Sequence, residues 1–191
     1  MEQLFLIVDL EATCSDDGSI TSDQMETIEI GACWAKRDGG VIDQFQSFVR
    51  PTINPVLTSF CKGLTNIRQT DIDDAPSFSV AAKELFDFMK RYQIADAVWM
   101  SWGMYDRKQI TKESLAHQVV DPLPITHLNA KRLFAKAQKI GKEVGMARAC
   151  SLAQLELEGV HHRALDDAKN IARLLPWILA ERKFVAAAAN Q

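Results

Sequence analysis

The chain has 191 residues, 47% hydrophobic and 25% charged, which suits one globular domain with a full apolar core. Its formal net charge of −3 argues against coating long nucleic acid through a broad basic surface, while leaving room for a small catalytic footprint. No run approaches the roughly 20 apolar residues of a membrane span, there is no signal-peptide pattern, and Cys14, Cys33, Cys61 and Cys150 form no C-x-x-C pair; the expectation is a soluble, cytoplasmic chain with reduced thiols and no membrane partner.

In chain order, Leu4 to Val8 is a continuous, partly β-branched run that predicts a central strand buried on both faces and ending in acids. Thr27 to Ala35 alternates through Ile28, Ile30, Ala32 and Trp34, Asp38-Gly39-Gly40 supplies a turn, and Val41 to Val49 predicts the returning strand. The sheet therefore opens as a three-stranded antiparallel meander. Phe78, Ala82, Leu85, Met89 and Tyr92 recur at helical spacing. Ala97 to Met100 predicts a short buried strand, broken by Gly103, and Tyr105 to His117 a helix. Pro122 and Pro124 punctuate a loop, after which Asn129 to Lys139 and Ala149 to Leu157 predict helices, the second closed by Gly159. A last helix runs from about Ala164 toward Glu181, kinked at Pro176, and the alanine-rich tail carries no functional signal. This order predicts an α/β, ribonuclease-H-like mixed sheet, three antiparallel strands followed by parallel strands, flanked by helices.

Three segments carry candidate chemistry. Asp9 and Glu11, at i and i+2 where the first strand runs out, project from one face if the backbone stays extended. Two adjacent carboxylates repel unless a cation lies between them, and hard oxygen donors suit Mg²⁺ or Mn²⁺. The plain alternative is a pair of solvated acids at a strand end. Asp106 follows a strand and a glycine turn and opens a helix, as a metal ligand or as an acid favoured by the helix dipole. In His161-His162-Arg163-Ala164-Leu165-Asp166-Asp167-Ala168, an imidazole suited to taking a proton near neutral pH precedes a helix whose first turn holds acids. The spacing from His161 to Asp166 equals that from His162 to Asp167, so spacing alone does not choose between the pairs. From Asn129 to Cys150, Lys131, Arg132, Lys136, Lys139, Lys142 and Arg148 face only Glu143, which reads equally as a phosphate-facing segment or a solvated helix face. Tyr105, Phe60 and Phe78 could stack on a base, although a core role is expected for each.

These segments, in this order, resemble the three motifs of the DEDD (DnaQ-like) 3′→5′ exonucleases of the histidine subtype: Val8 to Thr13, Trp102 to Asp106, and His162 to Ala168. Arg50-Pro51, Pro55 to Cys61, Leu64 to Ile67 and Ala75 to Phe78 are similar to the branch of Eri, histone-mRNA-end and KapD-like exonucleases, so the resemblance covers most of the chain. It implies that Asp167, followed by a small residue and five after His162, is the ligand, that His162 is the general base, and that Asp166 is a helix-start acid. It further implies Asp9, Glu11, Asp106 and Asp167 as ligands of two Mg²⁺ or Mn²⁺ ions, roughly 3.5–4 Å apart in two-metal sites generally, that activate water and stabilise the leaving oxygen. Leu10, Ala12, Thr13, Leu64 and Thr65 are the implied substrate contacts, and single-stranded 3′ ends of RNA or DNA the implied substrate. On this reading residues 1–182 form the exonuclease domain and 183–191 a tail, and a homodimer is one state open to the chain. Competing readings are a haloacid-dehalogenase-like phosphatase, which wants aspartate where Glu11 stands, and a subunit that works only within a larger assembly.

Overall fold

The computed structural model describes residues 3–92 and 97–184; of the expected tail, residues 185–191 lie outside the described residues. Strands β1 (Leu4–Ala12), β2 (Thr27–Lys36), β3 (Val41–Phe48), β4 (Val98–Ser101) and β5 (Thr126–Asn129) form one five-stranded sheet in the order β3-β2-β1-β4-β5. The β1/β2 and β2/β3 pairs are antiparallel, and the β1/β4 and β4/β5 pairs are parallel. The ribonuclease-H-like mixed sheet expected from the sequence is therefore present. Its opening hairpin closes where predicted: Gly39 takes φ 91°, and the Lys36 N–H donates to the Gly40 carbonyl at 2.9 Å.

Because β1 is buried on both faces, its side chains alternate between two cores. Phe5 and Ile7 face one core with Cys33, Ala35 and Met100, while Leu6, Val8 and Leu10 face the other with Ile30, Ala32, Trp34 and Trp99. Helix α3 (Phe78–Lys90) covers the second core with Phe78, Ala81, Ala82, Leu85, Phe88 and Met89, which explains its helical period. Helices α5 (Ala130–Gln138), α6 (Met146–Leu152), α7 (Ala164–Arg173) and α8 (Leu175–Ile178) cover the first core. Asp9 and Glu11 share the parity of Phe5 and Ile7, so the alternation aims both toward the face that carries α7.

Several boundaries differ from the sequence reading, each for a local reason. The strand β1 does not end at Val8 but continues through both acids to Ala12. The segment read as a proline-punctuated loop ends in β5, a four-residue strand too short to show a period. Asn129 is the N-cap of α5 rather than part of it, its Oδ1 accepting from the Arg132 N–H at 2.9 Å. Helix α6 begins three residues before the expected start and stops at Leu152, with Gln154 at φ 58°. The final helix does not kink at Pro176. It breaks at Leu174, because the proline ring clashes with the carbonyl four residues earlier and is tolerated only in the first turn of a new helix, α8. The sequence reading assigned no element to α1 (Ser59–Thr65) or α2 (Gln69–Asp73).

Candidate active site

The acids meet around the carboxyl-terminal part of β1 and beyond the end of β4, the side of the sheet on which ligands bind in open α/β folds. Parallel pairing of β4 stops at Met100, opposite Ile7, which leaves the edge of β1 without a strand partner at Leu10. Asp106, in the first turn of α4 (Tyr105–Ala116), fills that gap: its Oδ1 accepts from the Leu10 N–H at 3.1 Å. Farther along α4, the buried Glu113 accepts from the Thr27 N–H at 3.1 Å and Gln109 donates to the Met25 carbonyl at 2.9 Å, fixing the helix against the start of β2.

Asp167 arrives on the first turn of α7, which lies directly on β2. A Cβ at Gly31 would sit 2.1 Å from the backbone of Ala164 and Leu165, so only glycine permits this approach. Beside it, the fully buried Glu29 pairs with Arg163 at 3.0–3.1 Å and accepts from the Ala164 N–H at 3.1 Å. Glu29 lies opposite Glu11 in the β1/β2 register. Sequence reasoning missed Glu29, Gly31 and Glu113. The usable signal was an acid and a glycine in the same phase as Cys33 in an otherwise apolar strand.

Carboxylate oxygens of Asp9, Glu11 and Asp167 lie within 4.8 Å of one another. Glu11, Asp106 and Asp167 are buried, while Asp9 keeps an opening to solvent. Desolvation, then the charges of Asp106, Glu11 and Asp167, hold the Asp9 carboxyl well above its ordinary range. Desolvation, with Asp167 and Glu29 next, pushes Glu11 up to about 8. Burial raises Asp106 to about 6 against its hydrogen bonds, which favour the charged form. Such a set of like charges calls for a counter-ion, and all-carboxylate oxygen donors fit a hard divalent cation.

The two histidines precede α7 with their rings stacked, centroids 4.0 Å apart. The His161 Nδ1 lies 3.0 Å from both Asp167 oxygens, and the His162 backbone N–H donates to Asp167 at 3.2 Å. His162, at φ 63°, is the residue that turns the chain into the helix. Desolvation, reinforced by His161 and opposed by Asp167, lowers its pKa. Asp166 turns to the preceding loop, accepting from the Val160 N–H at 2.8 Å and packing so closely that a Cβ at Gly159 would meet its carboxylate at 2.3 Å.

Of the expected substrate contacts, Leu10 and Ala12 have buried side chains, and Thr13 and Thr65 spend their hydroxyls on the Glu26 N–H and the Cys61 carbonyl. Leu64 is half-buried. Its helix α1 is docked on the end of β1: Thr58 caps it, accepting from the Cys61 N–H at 2.9 Å and donating to the Cys14 carbonyl at 2.7 Å. Phe78 is core as expected, whereas Tyr105 and Phe60 are exposed, at 42% and 39%.

The sequence model of the exonuclease (RNase T) family matches residues 6–175. The chain belongs to this exonuclease family. Among its curated relatives, 3′-5′ exonuclease eri1 of Schizosaccharomyces pombe is 29% identical over 92% of this chain and 68% of that protein. The human 3′-5′ exoribonuclease 1 is 30% identical over 92% of this chain and 52% of its own length. The chain thus spans about half the length of the human protein. A full-length 3′-exonuclease crystal structure superposes with a TM-score of 0.83 at 26% identity, covering 94% of this chain and 61% of that one. The nuclease domain of 3′hExo, a DEDDh family member bound to rAMP, gives 0.80 at 24% identity, covering 94% and 93%. A further neighbour, a 3′-exonuclease described in 3′-end-specific recognition of the histone mRNA stem-loop, gives 0.81 at 24% identity over 94% of this chain and 64% of that one. The family match and the relatives named as 3′-5′ exonucleases agree with the expected 3′→5′ exonuclease branch, and the structural neighbours share its fold. Among the described residues no helix is long and apolar enough to cross a membrane.

Proposed function

We propose that the chain is a divalent-metal-dependent 3′→5′ exonuclease acting on single-stranded RNA ends, releasing nucleoside 5′-monophosphates and leaving a new 3′-hydroxyl. The observation that carries this reading is the convergence of Asp9, Glu11, Asp106 and Asp167, from β1, α4 and α7, in one charge-repelling pocket. RNA is favoured over DNA because curated relatives are named exoribonucleases and a structural neighbour holds rAMP. The antiparallel opening of the sheet and the family match leave the phosphatase alternative without support.

In this reading Asp9, Glu11, Asp106 and Asp167 would hold the Mg²⁺ or Mn²⁺ ions, with Asp9, Glu11 and Asp167 close enough together to share one. When bound, such ions neutralise the scissile phosphate and ease deprotonation of water. The chain's own groups do the rest. His162, kept neutral by desolvation, accepts the proton of the attacking water. Arg163, clamped on Glu29, fixes the turn that carries His162 and Asp167. Asp106, tied to the Leu10 N–H, holds the backbone of β1 between the two acids of its first motif. The exposed rings of Tyr105 and Phe60 are available to a terminal base. All four cysteines are free thiols, which suits the reducing cytoplasm proposed as its setting.

The test is a panel of single-stranded RNA, single-stranded DNA and duplexes, with free or blocked 3′ ends, in Mg²⁺, Mn²⁺ or chelator. The expected products are 5′-monophosphates from free RNA ends only, with none in chelator. Equal cleavage of blocked and free ends would overturn the exonuclease assignment, and faster cleavage of DNA would overturn the RNA assignment.

A further inference from the structure

Four cations outside the carboxylate pocket lie along one line. Arg132, Lys136 and Lys139, at i, i+4 and i+7, form one exposed stripe at α5, and Lys142 continues it. Among the described residues none of these four side chains has an acidic partner or a hydrogen bond. They line two concavities that share Arg132 and Lys136 and so run into each other. Glu143 is the one acid in either lining, and Arg107, at the near end, is held by Asp121 at 2.5 Å.

The position of this groove matters as much as its charge. Its near end is walled by Met104, two residues before Asp106, and by Asn129, the last residue of β5. β5 runs parallel to β1 through β4, so its carboxyl end opens on the same edge of the sheet as the acids. Two strand spacings put it about 10 Å from β1. From there the stripe of three cations descends α5 for about 10 Å. Unpaired cations gathered in one groove, on a protein of net charge −3, mark a polyanion track rather than a generally solvated helix face.

We infer that this groove holds the sugar-phosphate backbone of the strand upstream of its 3′ terminus, with Arg132, Lys136, Lys139 and Lys142 contacting successive phosphates. The inference rests on the exonuclease reading and adds the path of the strand to it. It makes productive binding depend on substrate length: a dinucleotide reaches only the carboxylate pocket, whereas a longer strand engages both.

The test compares the wild-type chain with Arg132→Ala/Lys136→Ala and with a control, Lys83→Ala/Lys90→Ala, on α3 across the sheet. All four positions are exposed, so folding is spared. Binding of a fluorescent single-stranded 20-mer RNA is measured in chelator across a salt series. Each phosphate contact on a single strand contributes about 0.7 to the slope of log affinity against log salt, so the α5 variant should lose about 1.4 from the slope. In Mn²⁺ its KM for the 20-mer should rise several-fold while hydrolysis of a dinucleotide stays unchanged. An unaltered salt slope would overturn the inference, as would an equal change in the α3 control or an equal loss on the dinucleotide. If the wild type hydrolyses neither substrate, the exonuclease reading fails, and the salt series still decides whether the groove binds RNA.

Discussion

Glu11→Gln removes one charge from the carboxylate pocket while keeping the shape of the side chain. In metal-free protein Glu11 is buried beside Asp167, Glu29 and Asp106, and its pKa rises from 4.5 to about 8. A carboxyl that binds its proton more tightly in the folded state favours folding only while protonated. Stability therefore falls as pH rises from about 4.5 to about 8. At pH 7 this penalty is roughly 2.5 pKa units, on the order of 3 kcal/mol. For a chain of this size that corresponds to a melting temperature roughly 6–12 °C lower than without the charge. Thermal denaturation in chelator at pH 7 should show Glu11→Gln melting above the wild type by up to that interval. At pH 5 the difference should shrink below about 1 kcal/mol. Saturating Mn²⁺ should reverse the order, because the wild type gains a ligand that the variant lacks. Equal melting temperatures in chelator at pH 7, or an advantage that persists undiminished at pH 5, would refute the idea that unneutralised repulsion strains this pocket.

Three further outcomes are expected. Gly31→Ala puts a methyl group into the backbone of Ala164 and Leu165, so it should lower stability by about 1–3 kcal/mol or more and weaken Mn²⁺ binding as α7 lifts; calorimetry on the metal titration reads the second effect. Asp167→Ala should abolish mononucleotide release, whereas Asp166→Ala should lose only about 1 kcal/mol of stability with the Val160 hydrogen bond and stay active; the opposite pattern would move the ligand to Asp166. His162 is depressed by desolvation, so the neutral, proton-accepting form persists to lower pH. The acidic limb of kcat/KM should therefore lie below the ordinary value near 6.5, and His162→Ala should remove it with a loss of about 10²–10⁴ in rate; an unchanged pH profile would take His162 out of the base role.

What could be read from the sequence was whatever local periodicity or a motif encodes. The buried run of β1, the alternation of β2, the Gly39 turn and the helical stripe of α3 all express burial through spacing, and the sheet follows from their order. The pocket was legible only in part. Asp9 and Glu11 announce themselves because strand geometry puts i and i+2 on one face. Nothing local shows that Asp106 substitutes for a missing strand at Leu10, or that Glu29 clamps Arg163 across 134 residues. β5 is not legible because four residues beside two prolines hold no period, and the helix breaks at Leu174, two residues ahead of the proline that opens α8. The histidines diverged most. Spacing treats them alike, and yet His161 puts its ring on Asp167 while His162 gives its backbone N–H.

The close seat of α7 on Gly31 also bears on the order in which the molecule is assembled. The acids at positions 9 and 11 belong to the first strand made, Asp106 to a helix about a hundred residues later, and Asp167 to one of the last. Contacts separated so widely in sequence form late, since loop closure must precede any gain from them. A chain with its sheet already paired still lacks the fourth carboxylate until α7 settles onto β2. The carboxylate pocket is thus coupled to completion of the fold, because its fourth acid arrives on one of the last helices.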